Sequence, residues 1–226
     1  MGKRAILIRL QDIIFGYDSG RDVLRKLSLT FSEGDKVGII GPNGSGKTTL
    51  FHIILGLLPP REGEIEIFGK RMHDEADYRA ARERIGLLFQ DANDQLFCPT
   101  VAEDIAFGPL NLGKRRDEVL NIVRETLETL GLVSFEDRVT YKLSGGEKKL
   151  VSLATVLAMK PEVLLLDEPT SGLDEETTER IIQVCNHSST SYMIISQDRG
   201  LLARTTRCIY RMANGKMEQL KEFSYL

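Results

Sequence analysis

The spacing of apolar residues along the chain predicts two kinds of β-strand. Residues 6–15 and 23–31 alternate between apolar and polar side chains, and residues 63–69 do the same. This alternation is typical of antiparallel strands that have one face on the core. Residues 37–40 and 163–166 are short uninterrupted apolar runs, as in parallel strands that are buried on both faces. The pattern therefore predicts an antiparallel sheet and a parallel sheet in the same chain.

Between these strands lies a block with helical periodicity, from Thr100 to about Met159. Thr100 and Glu103 have the spacing of a helix N-cap and its N3 partner. Residues 116–130 have helical spacing of apolar residues, at Val119, Leu120, Ile122, Val123, Leu127 and Leu130. Strands and helices alternate again from residue 163 to residue 212. The order predicts an α/β fold that makes one helical excursion and then returns to its sheet.

Residues 1–226 are accordingly predicted to form a single domain. Residues 1–90 and 160–226 would form the core with an antiparallel β subdomain, and residues 91–159 an inserted α-helical subdomain. A length of 226 residues with 42% hydrophobic content is enough to bury a substantial core. The net charge of −3 argues against a nucleic-acid partner. No apolar run approaches the roughly 18 residues that span a bilayer, so any membrane span must come from a partner.

The first chemical motif is a glycine-rich loop of the form G-x-x-x-x-G-K-[ST] between the apolar run 37–40 and a helical pattern. It predicts a nucleotide site made by Gly41, Pro42, Asn43, Gly44, Ser45, Gly46, Lys47, Thr48 and Thr49. Backbone N–H groups of such a loop point at phosphate, and the helix that follows presents its positive end. Lys47 would reach the β- and γ-phosphates, and the Thr48 hydroxyl would hold Mg²⁺. The motif predicts the core of a P-loop nucleoside triphosphatase with a mixed sheet.

Two adjacent carboxylates, Asp167 and Glu168, end the buried run 163–166. Ligands bind at the carboxyl ends of strands in open α/β sheets. Alternation along the strand sends the two side chains in different directions. We expect Asp167 to support the Mg²⁺ shell that it shares with Thr48, and Glu168 to orient and polarise the water that attacks the γ-phosphate.

A second glycine-rich helix start follows Leu143, as Ser144-Gly145-Gly146-Glu147. Ser144 and Glu147 have the spacing of a capping box. Capping does not explain two consecutive glycines, each of which lowers helix stability by about 1 kcal/mol. Bare backbone N–H groups that must approach an anion would explain them. The chain is therefore expected to carry two phosphate receptors.

The order of these motifs, with Gln90 between the first two and Ser171-Gly172-Leu173-Asp174 after Glu168, resembles the ATP-binding-cassette transporter ATPases over nearly the whole chain. The resemblance implies that ATP and Mg²⁺ are the cofactors and that Tyr17 stacks on adenine. It implies that Gln90 contacts Mg²⁺ or the attacking water. It also implies a head-to-tail dimer with a second cassette, identical or different. In that dimer Ser144, Gly145 and Gly146 of one chain cover the γ-phosphate held by the other, and Asp174 crosses between the protomers.

Residues 89–109 resemble the energy-coupling-factor importers, including their cobalt and nickel branch. In that group this region receives a coupling helix from a membrane subunit, so Leu96 and Phe97 are either docking contacts or part of the subdomain core. The implied function is the ATP-hydrolysing subunit of an importer, peripheral on the cytoplasmic face of the membrane and without direct contact to the transported solute. An alternative is a soluble ATPase of the same family that acts on nucleic acid or ribosomes.

One residue departs from the family pattern. Gln197 stands where the family usually has histidine. An amide can donate to a phosphate oxygen and position water, but it cannot gain a proton as an imidazole does. We therefore expect slow but measurable ATPase activity. Two other interpretations stay open at this point, a heterodimer whose other subunit supplies the complete site and a regulatory cassette that does not cycle.

Overall fold

A computed structural model of the chain describes residues 4–17 and 20–220. These residues form ten strands, β1 (Ile6–Gly16), β2 (Asp22–Ser32), β3 (Lys36–Ile40), β4 (Glu62–Ile67), β5 (Lys70–Arg71), β6 (Ile85–Leu88), β7 (Val163–Asp167), β8 (Ser191–Ile195), β9 (Cys208–Ala213) and β10 (Lys216–Gln219). They also form seven α-helices, α1 (Lys47–Ile54), α2 (Glu75–Arg82), α3 (Val101–Asn111), α4 (Arg116–Thr129), α5 (Gly145–Leu157), α6 (Glu175–His187) and α7 (Arg199–Thr205).

The predicted antiparallel sheet is present and has the strand order β2-β1-β4-β5. Ile8 pairs with Phe31 and Leu10 with Leu29, so the apolar positions of β1 and β2 share one face. Ile8, Leu10 and Phe31 are buried on that face. The register of β1 shifts between Leu10 and Ile13. Because of this irregularity, Ile13 faces the core as Leu10 does, although two residues lie between them.

The second sheet has six strands in the order β10-β9-β3-β8-β7-β6. Strands β3, β6, β7, β8 and β9 are parallel, and β10 runs antiparallel at the edge. The sequence pattern did not predict β10. The order places β8 between β3 and β7, which brings the carboxyl ends of these three strands together. The prediction of a mixed α/β fold is therefore confirmed.

Apolar side chains of β7 alternate between two hydrophobic clusters. Val163 and Leu165 pack in a cluster with α1 and the antiparallel sheet. Leu164 and Leu166 pack in a cluster with α3, α4, α5 and α6. Both faces of the strand are thus buried, and this explains its uninterrupted apolar sequence. The domain boundaries proposed at residues 90 and 160 stay a prediction.

The helical block begins with the expected cap. Thr100 accepts from the Glu103 backbone N–H at 3.3 Å, and the Glu103 carboxylate accepts from the Thr100 N–H at 3.0 Å. In α4, one residue of the apolar pattern does not face the core. Leu120 is 65% exposed, because the buried residues Val119, Ile122 and Leu127 define a face from which position 120 points away.

Candidate nucleotide site

The glycine-rich loop connects β3 to α1, and two of its glycines are required by the fold. Gly46 has a φ of 98° and caps α1, a conformation that side chains with a Cβ rarely adopt. A Cβ at Gly46 would also lie 2.9 Å from the side chains of Val23 and Leu24. A Cβ at Gly41 would overlap the carbonyl oxygen of Met212. Packing against β2 and β9 therefore determines the path of the loop.

Lys47 lies inside the loop and is 8% exposed. Its Nζ donates to the carbonyl oxygens of Gly41 at 2.8 Å and Pro42 at 3.1 Å. Burial lowers the pKa of the Lys47 ammonium, while the carboxylates of Glu168 and Asp167 raise it. The cation is held at the centre of the loop by carbonyl groups and lies close to the two acids.

Asp167 ends β7 and faces the start of α1. Its Oδ2 accepts a hydrogen bond from Thr48 Oγ1 at 2.6 Å, across 119 residues of sequence. Asp167 is 3% exposed, and its Oδ1 has no hydrogen-bond partner among the described residues. Burial raises the pKa of the Asp167 carboxyl, while the Thr48 hydroxyl and the Lys47 ammonium lower it. A buried carboxylate with one free oxygen is suited to binding a cation or a polarised water.

Glu168, the next residue, leaves the strand through a left-handed backbone conformation with a φ of 44°. This conformation costs of order 1–3 kcal/mol for a residue other than glycine. The N–H of Glu168 donates to Ile195 O of β8 at 2.9 Å, which fixes the turn. Burial raises the pKa of the Glu168 carboxyl, and the backbone amide of Gln197 and the Ser196 hydroxyl lower it. The carboxylate is thus held beside the end of β8.

Gln197 follows β8 at the same edge of the sheet. Its Nε2 donates to the carbonyl oxygen of Gly41, the oxygen that also accepts from Lys47. The amide is therefore in direct contact with the phosphate loop. One cavity at this edge is lined by residues of the phosphate loop and α1, by both acids, by Ile195 of β8 and by Gln90, but not by Gln197.

Gln90 lies after β6 and is anchored through its backbone. Lys149 of α5 donates through Nζ to the carbonyl oxygens of Gln90 at 2.6 Å and Phe89 at 3.0 Å. Lys149 is 4% exposed, and burial lowers the pKa of its ammonium, whereas Asp167 raises it. Sequence reasoning missed this lysine, because adjacent lysines on a helix are usually solvated. Its position among buried residues of α5 was the available signal.

Tyr17 lies at the rim, with 49% of its surface exposed. Its hydroxyl is 3.1 Å from Thr49 Oγ1 in the first turn of α1. Its ring packs edge to face on Phe15, with centroids 5.0 Å apart. These contacts fix the ring beside the phosphate loop and leave aromatic surface open.

The second glycine-rich start forms the N-terminus of α5 and has the predicted capping box. Ser144 Oγ accepts from the Glu147 N–H at 3.3 Å, and Glu147 Oε2 accepts from the Ser144 N–H at 2.8 Å. Apart from its two chain neighbours and the nearby backbone of its own helix, no atom of the described residues lies within 4 Å of a Cβ built on Gly145. A Cβ on Gly146 would lie 3.3 Å from Thr177 Oγ1 and 3.7 Å from Asp174 Oδ2. Asp174 caps α6 and therefore lies beside this helix start.

No hydrogen bond within residues 4–17 and 20–220 joins Ser144, Gly145 or Gly146 to the phosphate loop. The two glycine-rich starts are therefore not joined by hydrogen bonds. They do line one wide cavity, whose wall includes Gly145 and also Thr48 and Asp167.

Leu96 and Phe97, which were considered together, have different surroundings. Leu96 is half-buried and packs against the cluster that contains α3, α4 and α5. Phe97 is 66% exposed and packs edge to face on Phe107, which is itself 48% exposed, with ring centroids 4.8 Å apart. Leu96 is therefore part of the core, and Phe97 and Phe107 form an exposed aromatic pair. None of the helices within the described residues is long and apolar enough to cross a bilayer.

Comparison with known proteins gives consistent matches. Residues 24–171 match the model of the ABC transporter family. An energy-coupling factor transporter ATP-binding protein from Methanothermobacter thermautotrophicus is 41% identical over 215 residues, which is 93% of this chain and 69% of the relative. The structure of CbiO1 from Clostridium perfringens, part of the ABC transporter complex CbiONQ, superimposes with a TM-score of 0.84 at 30% identity, covering 95% of this chain and 87% of that one. A dimeric ATP-binding cassette in a post-hydrolysis state with bound ADP and Pi superimposes with a TM-score of 0.86 at 28% identity, over 96% and 100% of the two chains.

Proposed function

Because this chain belongs to the ABC transporter family and is an ATP-binding cassette ATPase, we propose that it hydrolyses ATP for an importer of the energy-coupling-factor type. In this proposal it works as a dimer at the cytoplasmic face of a membrane, bound to a transmembrane subunit. The observation that carries the proposal is the hydrogen bond between Thr48 and Asp167, with Glu168 and Gln197 at the same sheet edge. It brings the groups needed for phosphoryl transfer into one site.

The phosphate loop, residues 41–48, binds the triphosphate of ATP. Backbone N–H groups of the loop and the N-terminus of α1 bind phosphate oxygens. Lys47 exchanges its carbonyl partners for β- and γ-phosphate oxygens, which is favourable because a charge-assisted bond to phosphate is stronger than one to a neutral carbonyl. Tyr17 stacks on adenine through its exposed face, and its hydroxyl contact to Thr49 holds the ring at the correct side of the loop.

The residues beside Lys47 fit a Mg²⁺ ion. Within the described residues, no three His, Cys, Asp or Glu side chains are grouped to hold a metal, so a carboxylate can supply only part of the protein ligands. Thr48, Gln90 and Asp167 supply hydroxyl, amide and carboxylate oxygens, which Mg²⁺ prefers, and Mg²⁺ usually keeps waters and phosphate oxygens as its other ligands. When bound, the ion neutralises charge that develops on the phosphates. The free Oδ1 of Asp167 is consistent with this assignment.

Glu168 orients the water that attacks the γ-phosphorus. A bond from the water oxygen to phosphorus forms while the bond from phosphorus to the β-bridging oxygen breaks, and the proton that the water loses passes to the Glu168 carboxylate. ADP leaves, and phosphate is released. The pKa of the Glu168 carboxyl is raised and so lies closer to neutral pH than that of a free glutamate. A general base is most effective when its pKa is close to the pH at which the enzyme works. Gln90 contacts the water or the cation from the β6 side, held by Lys149. Gln197 contributes an amide donor, and we expect slow turnover because this group does not become charged.

The second helix start acts on the nucleotide of a partner protomer. Ser144, Gly145 and Gly146 of one chain cover the γ-phosphate held by the loop of the other, and Asp174 reaches across the same interface. The open surface at Gly145 supports this assignment, since nothing within the described residues explains the glycine. ATP thereby joins the protomers, and hydrolysis weakens the dimer by removing the group that both chains bind. The proposed assembly holds two interfacial ATP molecules.

The aromatic pair Phe97 and Phe107 is the proposed contact for the membrane subunit. Neighbouring large apolar side chains that are both exposed are typical of interaction surfaces. Leu120, on α4, is equally exposed but stands outside this pair. In a membrane-association assay Phe97→Ser should release the chain from the membrane fraction, whereas Leu120→Ser should not. Recovery of the chain with RNA or ribosomes instead would favour the soluble alternative.

The main test uses ATP-driven dimerisation. The Glu168→Gln variant should bind ATP, hydrolyse it at least a hundredfold more slowly and accumulate as a dimer in light scattering with Mg²⁺ and ATP. Glu162→Gln is the control, because Glu162 lies before the amino end of β7 and pairs with Arg84 on the surface. A Glu168→Gln protein that stays monomeric at saturating ATP would contradict the shared-site mechanism.

A further inference from the structure

The start of α5 combines free backbone donors with a negative charge. None of the hydrogen bonds among the described residues uses the N–H groups of Gly145 or Gly146. The helix N-terminus carries a partial positive charge of about half a unit. The Glu147 carboxylate, in the same turn, opposes that charge, and the Asp174 carboxylate lies close to Gly146. A phosphate approaching these donors therefore meets two carboxylates.

The positively charged side chain of Arg138 contacts this turn. Arg138 donates through Nη1 to Glu147 Oε1 at 2.7 Å, while Glu147 Oε2 accepts from Ser144. The Glu147 carboxylate is shared between a helix cap and an arginine, and these hydrogen bonds lower its pKa, so that it stays ionised. Asp174 has no such cation, since its oxygens accept only from Thr177 among the described residues.

Arg138 is held in position independently of Glu147. Its guanidinium lies over the Phe135 ring, 4.1 Å from the centroid. Its backbone N–H donates to Phe135 O at 2.9 Å, and its carbonyl oxygen accepts from the Val101 N–H at 3.0 Å. The arginine is thus fixed before any ligand arrives, which reduces the conformational entropy lost on binding.

We propose that Arg138 is a positioning residue that neutralises Glu147, so that the start of α5 can accept the γ-phosphate of ATP bound to a second copy of this chain. This inference rests on the proposed shared-site dimer. Glu147 is needed to cap α5, and its charge is unfavourable to an incoming phosphate. Arg138 cancels that charge and leaves the cap intact. A glutamine at position 147 would also cap the helix, because S-x-x-Q is equally a capping box.

Charge compensation distinguishes this role from a merely structural one. In the Glu168→Gln background, dimer dissociation constants are measured by analytical ultracentrifugation at saturating Mg²⁺ and ATP. Arg138→Gln should weaken the dimer. An exposed charge interaction changes an equilibrium by about 1.4- to 5-fold. A symmetric dimer contains two such sites, so the expected weakening is roughly 2- to 30-fold. The double variant Arg138→Gln/Glu147→Gln should return to within about twofold of the parent.

Two further measurements sharpen the result. The weakening of the dimer by Arg138→Gln should become smaller as NaCl is raised from about 0.05 to 0.5 M, because salt at these concentrations screens charge interactions strongly. Arg84→Gln is the matched control, because Arg84 also lies over a phenylalanine, 3.6 Å from the Phe68 centroid, and pairs with Glu162. It should leave the dimer constant unchanged.

Each outcome decides between the possibilities. If Arg138→Gln dimerises as the parent does, or if the double variant is as weak as Arg138→Gln, the inference is wrong and the proposed function stands. If the parent itself remains monomeric with ATP, the shared-site mechanism fails and the inference fails with it. If the double variant recovers and Arg84→Gln has no effect, Arg138 acts through the charge of Glu147.

Discussion

Replacement of Gly145 by alanine should make the protein more stable and less active. Gly145 is the first residue of α5, does not have a positive φ, and has open space around the position of a Cβ. Alanine should therefore fit without strain. The gain is at most about 1 kcal/mol, the difference in helix propensity between the two residues. For a chain of this length such a gain raises the melting temperature by about 2–4 °C.

Activity should change in the opposite direction. The added methyl group lies beside the unpaired N–H groups of Gly145 and Gly146. Phosphate oxygens accept from N–H groups at about 2.9 Å, and a methyl carbon prevents so close an approach. Loss of one hydrogen bond to a charged group is worth about 1.5–3 kcal/mol, which corresponds to roughly 10- to 150-fold in ATP-dependent dimerisation for each site.

Thermal unfolding without nucleotide and steady-state ATP hydrolysis together test this prediction. Gly46→Ala is the informative comparison, because its φ of 98° and its contacts to Val23 and Leu24 should make that variant lose stability as well as activity. Affinity of the Gly145→Ala monomer for a fluorescent ATP analogue should be that of the parent. A Gly145→Ala protein that is less stable, or one that hydrolyses ATP at the parental rate, would refute the reasoning.

Substitutions at three other positions test separate parts of the site. Gln197→His should increase turnover several-fold, since an imidazole can carry a proton; an unchanged or lower rate would contradict the view that the uncharged amide limits turnover. Tyr17→Phe should raise the KM for ATP by about two- to tenfold through loss of its hydrogen bond to Thr49, and Tyr17→Ala should raise it further; equal KM values for the parent and both variants would argue against adenine stacking. Asp167→Asn should stabilise the nucleotide-free protein by about 1 kcal/mol at pH 7 and abolish stabilisation by Mg²⁺ and ATP. The pKa of Asp167 is raised in the folded state, so its charge destabilises the protein only as pH rises above about 4 and through that pKa. The stability gained by Asp167→Asn should therefore be absent near pH 3.5 and grow toward pH 7. A gain that does not depend on pH would contradict this account.

The phosphate loop and the acids of β7 could be predicted together because both depend on one rule. Carboxyl ends of neighbouring parallel strands lie at one edge of a sheet. The sequence contains the strands as apolar runs and the site residues directly after them, so local order along the chain specifies the site. The contact between Thr48 and Asp167, 119 residues apart, follows from that order. Capping boxes at Thr100 and Ser144 were predictable for a similar reason, since they involve residues three apart.

Other contacts depend on tertiary packing and could not be predicted from local patterns. Lys149 looks like a solvated lysine in sequence, but α5 is covered on several sides and the side chain finds two carbonyl oxygens at the end of β6. Leu96 and Phe97 are adjacent and equally apolar, and only the packing of α3 and α5 decides which of them is buried. Leu120 is exposed although it belongs to the apolar pattern of α4, because the sequence alone does not distinguish an apolar residue beside a helical stripe from one within it.

The two glycine-rich starts differ in what explains their glycines. At Gly41 and Gly46 the reason lies inside the chain, because Met212, Val23 and Leu24 occupy the space of a Cβ. At Gly145 nothing described within the chain occupies that space. Glycine at the first turn of α5 lowers the stability of that helix, and no contact within the described residues compensates for the loss. Such an arrangement is reasonable if the ligand comes from outside, and a phosphate held by a second protomer has the charge and size that these donors fit.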